Sequence, residues 1–180
     1  YITESENENA VEISISTRPD CIRYEYLDFL KSFAEKNNLN VTIELGLQTV
    51  NYKTLKKINR GHTLAEFIDA VMMIKKYGFD ICAHLILNLP WDGLDDVIEC
   101  AKVLSALRVN QVKLHCLYIV KNTIMAKMYE NKEFDMGSHY DYVTKVITFL
   151  EYLSPDIVIG RLIGRAKEEH TVFANYSMSW

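Results

Sequence analysis

Short apolar runs rich in Val, Ile and Leu alternate along this chain with longer segments of helical spacing. Runs of this kind are typical of strands that are covered on both faces. The sequence predicts strands at residues 11–16, 41–47, 79–87, 111–117 and 156–159. It predicts helices at residues 21–35, 64–74, 94–104 and 143–153. Because repeated strand–helix–strand units form parallel sheets with right-handed crossovers, we predict an α/β fold.

Turn and capping signals agree with these helices. Thr63 and Glu66 have the spacing of a capping box,. Gly78 follows the end of the same helix, where the left-handed backbone conformation is common,. Asp20 and Asp92 are expected to cap the helices that follow them,.

A partial barrel is favoured over an open nucleotide-binding sheet. No G-x-G-x-x-G or P-loop motif follows any predicted strand,. Polar side chains instead recur at the carboxyl ends of the strands, where barrels bind ligands. We therefore expect a lead-in over residues 1–10, a parallel-stranded partial (β/α) TIM-like barrel over residues 11–165 and a C-terminal extension over residues 166–180.

Composition excludes several classes of protein. The 180 residues carry 20 Lys plus Arg and 24 Asp plus Glu, a formal net charge of −4, which argues against a broad nucleic-acid-binding surface,. No apolar run approaches the roughly 20 residues of a membrane span. The polar, acidic residues 1–10 are also unlike a signal peptide, so we expect a cytoplasmic protein with no membrane partner,. The first residue is Tyr rather than Met, from which we expect a segment removed upstream.

The cysteines Cys21, Cys82, Cys100 and Cys116 lie far apart in the sequence. Structural zinc and iron–sulfur sites use short spacings between their ligands, so we expect no metal site in this chain. A disulfide framework is not expected in a reducing compartment, and most of these thiols are predicted to be small buried side chains.

Polar residues recur on one face of the predicted strands. The residues concerned are Ser14, Ser16, Glu44, Gln48, His84, Lys113 and His115. Polar groups that face a barrel interior require partners or a ligand, so the pattern predicts a polar ligand pocket. Glu44 is explained equally well as a structural partner of Lys113 or of Arg18. No hydrolytic motif, such as G-x-S-x-G or H-E-x-x-H, is present,.

Four motifs in a fixed order resemble the radical S-adenosylmethionine (SAM) superfamily. They are ISTRPD at 15–20, ELGLQT at 44–49, NRGH at 59–62 and HLILNLP at 84–90. The likeness is greatest to uncharacterised bacterial Fe–S oxidoreductases that group with the Elongator catalytic subunit. It extends over residues 10–165 and includes KLH at 113–115 and KNT at 121–123.

The resemblance implies a six-stranded partial (β/α) barrel. In that family the loop after the first strand carries a C-x-x-x-C-x-x-C motif that holds a 4Fe–4S cluster, and a glycine-rich turn after the second strand binds the SAM amino group. Neither motif is present here. The chain is therefore expected to supply the third strand onward of a larger enzyme and to be inactive alone.

The resemblance also implies roles for individual residues. Ser16, Gln48, Arg60 and His84 are expected to bind SAM, with Arg60 paired to the methionine carboxylate, a role that its planar donors suit. Ser16 occupies a position that is acidic in some relatives, and Trp91 replaces the glycine of the usual Leu-Pro-Gly. Residues expected on the substrate side are Glu44, Lys113 and His115.

The chemistry that the resemblance implies is reductive cleavage of SAM to a 5′-deoxyadenosyl radical, which abstracts hydrogen from an unknown substrate. An electron donor such as flavodoxin or ferredoxin would be a partner. Relatives include tRNA-modifying enzymes, but the lysines near Arg60, at 53, 56 and 57, are explained as well by a solvated helix face.

Two other functions remain open at this point. The first is a barrel-derived binding or scaffold module without redox chemistry, which fits a chain that has no cluster ligands of its own. The second is a lyase or aldolase that uses Lys113 to form a Schiff base. An ion pair between Lys113 and Glu44 explains that lysine more simply.

Overall fold

The computed structural model of the protein describes residues 10–164, 166, 168–174 and 176. Residues 1–9 of the predicted lead-in lie outside the described residues. The strands are β1 (Glu12–Thr17), β2 (Asn40–Gln48), β3 (Asp80–Ile86), β4 (Gln111–His115), β5 (Ile119–Val120), β6 (Val158–Arg161) and β7 (Thr171–Phe173). The α-helices are α1 (Tyr24–Asn37), α2 (Tyr52–Lys57), α3 (Leu64–Lys76), α4 (Leu94–Leu107), α5 (Ile124–Glu130) and α6 (His139–Tyr152). Short 3-10 helices span Pro19–Cys21 and Glu168–His170.

The main sheet has five parallel strands in the order β1-β2-β3-β4-β6. Each strand pairs with the next main-sheet strand of the chain, as successive right-handed crossovers require. The five predicted strands are all present with shifted ends; the last, predicted at 156–159, is Val158–Arg161. The predicted parallel α/β architecture is therefore confirmed.

The core lies between the helices and one face of this sheet. Residues on this face of the central strands, such as Leu45, Ile81 and Val112, are fully buried and pack in one cluster with helix residues that include Phe67 and Leu104. Full burial of a Leu or Phe side chain contributes about 1.5–3 kcal/mol. Helix packing therefore fixes the position of the sheet and the direction in which its opposite face points.

The signals at helix ends gave mixed outcomes. Thr63 and Glu66 form the predicted capping box of α3, and Gly78 has a φ of +71° after that helix. Asp20 does not cap α1, because it lies in the preceding 3-10 helix and pairs with Arg18. Asp92 does not cap α4. Its carboxylate instead accepts a hydrogen bond from a threonine of α2, and the Gly93 N–H at the start of α4 is bound by an aspartate within that helix.

The segment between β4 and β6 forms a smaller unit together with residues that follow β6. Strand β7 pairs antiparallel with β5 beside a second apolar cluster of Ile119, Ala126 and Met136. The described part of the segment 166–180 thus contributes a strand and a 3-10 helix. Among the described residues, no helix has both the length and the apolar character that a membrane crossing requires.

Candidate functional site

The face of the main sheet opposite the helix-packed core carries polar residues singled out from the sequence. Strand register places Ser16, Glu44 and Cys82 beside one another in one row. In the next row His84 lies beside Lys113. Since side chains on alternate strand positions point to the same face, these polar groups converge toward the carboxyl ends of the strands.

Glu44 is the centre of a hydrogen-bonded network. Its Oε1 lies 2.5 Å from Nζ of Lys113, and its Oε2 accepts hydrogen bonds from Ser16 Oγ at 2.9 Å and from Nε2 of His84 at 3.0 Å. Burial alone would raise the pKa of Glu44, but the hydrogen bonds from Lys113 and Ser16 and the nearby ammonium charge hold it below its ordinary value,. Lys113, rather than Arg18, is therefore the partner of this carboxylate.

A second imidazole extends the network along the sheet. Nε2 of His115 lies 3.1 Å from Nδ1 of His84, and the two rings stack with centroids 5.1 Å apart. Burial lowers the pKa of His84. Burial, the neighbouring His84 and the charges of Arg161 and Lys113 lower the pKa of His115 to about 4. Both rings are consequently neutral at physiological pH.

A cavity of about 420 Å³ opens above this network. Its lining comprises Ser16, Thr17, Glu44, Gly46, Gln48, His84, Ile86, His115, Cys116, Leu117 and Tyr118. The volume falls within the range of roughly 300–1,000 Å³ that is usual for small-molecule sites. Five residues predicted from the sequence thus meet at one cavity, namely Ser16, Glu44, Gln48, His84 and His115.

Arg60 and Lys113, the other two predicted site residues, are not among the residues that line this cavity, and Arg60 instead lines a separate cavity of about 300 Å³. Nη2 of Arg60 donates to the carbonyl oxygen of Gly46 at 3.1 Å, while its buried Nε has no hydrogen-bond partner. A Cβ added at Gly46 would lie 2.6 Å from Nη2 of Arg60 and 2.8 Å from Nε2 of Gln48. The absence of a side chain at Gly46 therefore lets Arg60 and Gln48 pack closely against this cavity-lining residue.

Backbone geometry at the end of β2 turns Gln48 into the site. The register between β2 and β3 shifts between Gly46 and Gln48, and Gln48 has a φ of +73°. A non-glycine residue in the left-handed region is uncommon and often marks a functional turn. The bulge changes the direction of the strand just where its side chains meet the cavity.

Several residues at the site were missed from the sequence. Cys82 lies two residues before His84 on the same strand face, so strand alternation alone could have identified it. Thr17 ends β1, whereas Cys116, Leu117 and Tyr118 follow β4 and carry no motif. Only the path of the loop after β4 brings those three residues to the cavity.

Trp91, which departs from the family pattern, is not among the residues that line this cavity. Its ring lies under Nζ of Lys57, 4.4 Å from the ammonium nitrogen, and meets Phe134 edge-on with centroids 5.2 Å apart. The tryptophan therefore packs between α2 and the segment that follows α5.

Three side chains that could bind a metal ion lie close together at the centre of the sheet. Ligand atoms of Glu44, Cys82 and His84 lie within 4.8 Å of one another. However, the ammonium of Lys113 already neutralises Glu44, and burial raises the pKa of the Cys82 thiol to about 11. A fixed positive charge and a protonated thiol both oppose a cation, because metal binding requires deprotonated ligands.

The four cysteines do not fit an iron–sulfur cluster. Cys21 is exposed. The other three cysteines are buried on different elements, Cys82 in β3, Cys100 in α4 and Cys116 just after β4. Burial raises the pKa of Cys116 to about 11 and that of Cys100 to about 12. Clusters are held by grouped thiolates, so the described thiols of this chain do not form such a site.

Comparison with known proteins identifies two matching families. The Radical SAM superfamily matches residues 1–104, and the Radical_SAM C-terminal domain matches residues 109–180. An uncharacterized protein of Methanocaldococcus jannaschii is 40% identical over 84% of this chain and 47% of its own length. Elongator complex protein 3 of Homo sapiens is 26% identical over 81% of this chain and 26% of its own length.

A solved structure shares the fold. The archaeal Elp3 of Methanocaldococcus infernus, with an N-terminal deletion, superposes with a TM-score of 0.73 at 22% identity, covering 92% of this chain and 39% of that chain. The predicted partial TIM-like barrel fold is thereby confirmed. The chain spans about half the length of several curated relatives that it matches.

Proposed function

Because the chain belongs to the Radical SAM superfamily, we propose that it forms the SAM-binding wall of an enzyme that cleaves SAM reductively and abstracts hydrogen from a substrate. The observation that carries the proposal is the cavity at the strand ends, which Ser16, Gln48 and His84 line and where Arg60 donates to the backbone of the lining residue Gly46.

The residues of this cavity suit the polar parts of SAM. The buried Nε of Arg60 lacks a partner and belongs to a planar donor group that matches a carboxylate,. Gln48 and Ser16 offer an amide and a hydroxyl, which suit the hydroxyls of a ribose. We assign the methionine carboxylate to Arg60 and the ribose to Gln48 and His84. Because both ring nitrogens of His84 bind Glu44 and His115, the His84 ring would contact the ribose through its carbon atoms.

In this proposal, SAM and a 4Fe–4S cluster together supply the radical chemistry when both are bound. The cysteines of this chain do not fit the cluster, so the ligands would be thiolates other than Cys21, Cys82, Cys100 and Cys116. The contribution of this chain is to hold the methionine and ribose portions and to exclude water from them. An electron donor such as a flavodoxin or ferredoxin, a cytoplasmic location and the identity of the substrate all belong to the proposal.

The Schiff-base alternative has little support. Nζ of Lys113 lies 2.5 Å from Glu44, and Lys113 is not among the residues that line the cavity. A lysine nucleophile requires a free amine facing its substrate. The scaffold alternative is supported by the absence of grouped thiolates among the described residues, and it is one outcome of the following test.

The test is binding of SAM to the purified chain, followed by amide and side-chain NMR shifts. We expect saturable shifts at Gln48 and His84, with a Kd on the order of 1 mM (about −4 kcal/mol), because a cavity without the cluster makes only part of the contacts. Arg60→Gln should abolish the shifts, since a charge-assisted hydrogen bond contributes about 1.5–3 kcal/mol.

The matched control is Arg108→Gln. Arg108 is exposed at the end of α4, at the edge of the sheet opposite the cavity, so its loss should leave the SAM shifts unchanged. Absence of any SAM-dependent shift at Gln48 and His84 would overturn the proposed function and favour a scaffold. Equal weakening by both arginine variants would overturn the assignment of Arg60.

A further inference from the structure

The side chain of Asn88 binds two other segments of the chain just beyond the end of β3. Asn88 follows β3 by two residues and is 4% exposed. Its Oδ1 accepts a hydrogen bond from the backbone N–H of Leu117 at 2.6 Å. Its Nδ2 lies 3.2 Å from Sγ of Cys116 and 3.1 Å from the hydroxyl oxygen of Tyr176. Since a carboxamide has one oxygen and two N–H donors, these three bonds use every polar group of the side chain.

The partners of Asn88 also determine which way its amide points. The backbone N–H of Leu117 can only donate, so the atom that faces it must be the oxygen,. The Tyr176 hydroxyl donates its own proton to the carbonyl oxygen of Met136 at 3.3 Å and keeps a lone pair for the Asn88 amide. A reversed amide would bring two donors together at Leu117, which a buried site does not tolerate without cost.

The loop held by Asn88 forms one wall of the cavity. The paired register of β3 and β4 ends before this loop, so the Leu117 N–H is bound by a side chain instead of by a neighbouring strand. The wall consists of the three loop residues between β4 and β5, namely Cys116, Leu117 and Tyr118, all of which line the cavity. Asn88 itself is not among the lining residues.

Tyr176 brings the C-terminal segment to the same point. Its ring is partly buried and meets the ring of Phe173 edge-on, with centroids 5.2 Å apart. The hydroxyl of Tyr176 thus joins the end of β3 to the segment before α6, through Asn88 on one side and Met136 on the other. Residues far apart in the sequence therefore hold the Asn88 amide in place.

We propose that Asn88 is a positioning residue of this cavity, which fixes the wall formed by Cys116, Leu117 and Tyr118, and that the Tyr176 hydroxyl fixes Asn88 in turn. The inference rests on the proposed function for the identity of the ligand, SAM. The placement of the wall depends only on the hydrogen bonds described.

The wall matters for binding because it supplies apolar surface to a cavity that is otherwise polar. Leu117 and Tyr118 lie across from the polar residues Ser16 and Gln48 at the ends of the other strands. Small-molecule sites combine apolar surface with a few placed polar groups, and a small displacement of either weakens binding. Loosening the wall should therefore lower ligand affinity more than it lowers the stability of the sheet.

The first test is amide hydrogen exchange of the full chain, measured by NMR without SAM. Tyr176→Phe keeps the ring but leaves a buried N–H of Asn88 without its acceptor, so the Leu117 amide should exchange about tenfold faster. The Leu85 amide in β3 should exchange at its wild-type rate. Unchanged exchange at Leu117 would overturn the proposal, and equal acceleration at Leu85 and Leu117 would overturn it by showing only a general loss of stability.

The matched control is Tyr77→Phe. It removes a tyrosine hydroxyl that donates to Asp28 at 2.7 Å, before the start of β3 and so at the opposite end of that strand. The control loses the same group and one hydrogen bond, but it should leave the Leu117 exchange rate unchanged. Faster exchange at Leu117 in Tyr77→Phe would overturn the specific role of Tyr176.

The second test adds SAM as the probe and measures its Kd from the NMR shifts. Tyr176→Phe should raise the Kd by about two- to tenfold, the range expected for one lost hydrogen bond, and Asn88→Ala should raise it further. A wild-type Kd in Tyr176→Phe despite faster Leu117 exchange would overturn the role of the wall in binding. If the wild type itself binds no SAM while Leu117 responds as expected, the proposed function is overturned and the positioning of the wall by Asn88 is supported.

Discussion

The two faces of the central strands are buried by different kinds of interaction. On the helix-covered face, Leu45 is fully buried and makes only apolar contacts within the main core. On the cavity face, its neighbour Glu44 is 9% exposed and is held by hydrogen bonds to three other strands. Apolar side chains can pack in slightly different orientations, whereas each hydrogen bond of the polar network requires both its donor and its acceptor. The two faces should therefore respond differently to substitution.

The largest effect is expected on the apolar face. Phe67 of α3 is fully buried in the main core, so Phe67→Ala should lower the free energy of unfolding by about 3–5 kcal/mol,. Urea denaturation monitored by circular dichroism measures the loss. Phe29→Ala, at a residue that is 67% exposed, should change it by less than about 1 kcal/mol,. Similar losses in the two variants would show that the apolar face is not packed as described.

Substitution on the polar face should lower stability by leaving a buried charge unpaired. Lys113→Met leaves the Glu44 carboxylate buried without its cation, which should cost about 3 kcal/mol of unfolding free energy,. Glu44→Gln added to Lys113→Met should restore most of that loss, because no buried charge then remains. A double variant as unstable as Lys113→Met would indicate that shape, rather than charge, holds this face together.

The third prediction concerns how the free energy of unfolding depends on pH. Because the pKa of His115 is lowered to about 4 in the folded chain, the unfolded chain binds a proton more readily between the ordinary histidine pKa and pH 4,. Stability from the neutral ring is therefore present above about pH 6.5 and is lost as the pH falls toward 4. His115→Asn should reduce the slope of unfolding free energy against pH in this window by up to about 1.4 kcal/mol per pH unit. An unchanged slope would contradict the buried neutral state.

The smallest effect on stability is expected at Gly46, where a substitution should change ligand affinity more than the free energy of unfolding. Gly46→Ala places a methyl group against Arg60 and Gln48, whose flexible ends can move aside, so the unfolding free energy should change by less than about 1 kcal/mol,. The affinity for SAM should nevertheless fall about tenfold, because both side chains leave their positions at the cavity. Gly93→Ala is the control, since its nearest side-chain atom is 4.0 Å away. Equal SAM affinities in the two variants would contradict the role of Gly46.

Much of the fold was predictable because its signals are local. The alternation of apolar runs identified every strand of the main sheet, and the Thr63–Glu66 box identified the start of α3. The caps assigned to Asp20 and Asp92 were wrong because each carboxylate found a stronger partner elsewhere, Arg18 in one case and Thr54 in the other. Thr54 lies 38 residues from Asp92 and is therefore invisible to a local pattern, whereas Arg18 lies two residues from Asp20 and only the short 3-10 helix there decides that the two side chains pair.

The site was predictable as a set of residues but not as a network. Strand alternation placed Glu44, His84, Lys113 and His115 on one face, and the structure brings them together. The positions of Cys116, Leu117 and Tyr118 depend on the loop after β4, for which the sequence offers no periodic signal.

By itself, the sequence determined the parallel α/β class, the strand faces and the residue types available for a polar cavity, because these follow from spacing over a few residues. Only the tertiary structure decided that Glu44 pairs with Lys113, 69 residues away, and reaches His115 through His84. The physical reason is strand register. The helical crossovers fix how adjacent strands align, and a shift of one residue would turn every one of these polar groups to the apolar face.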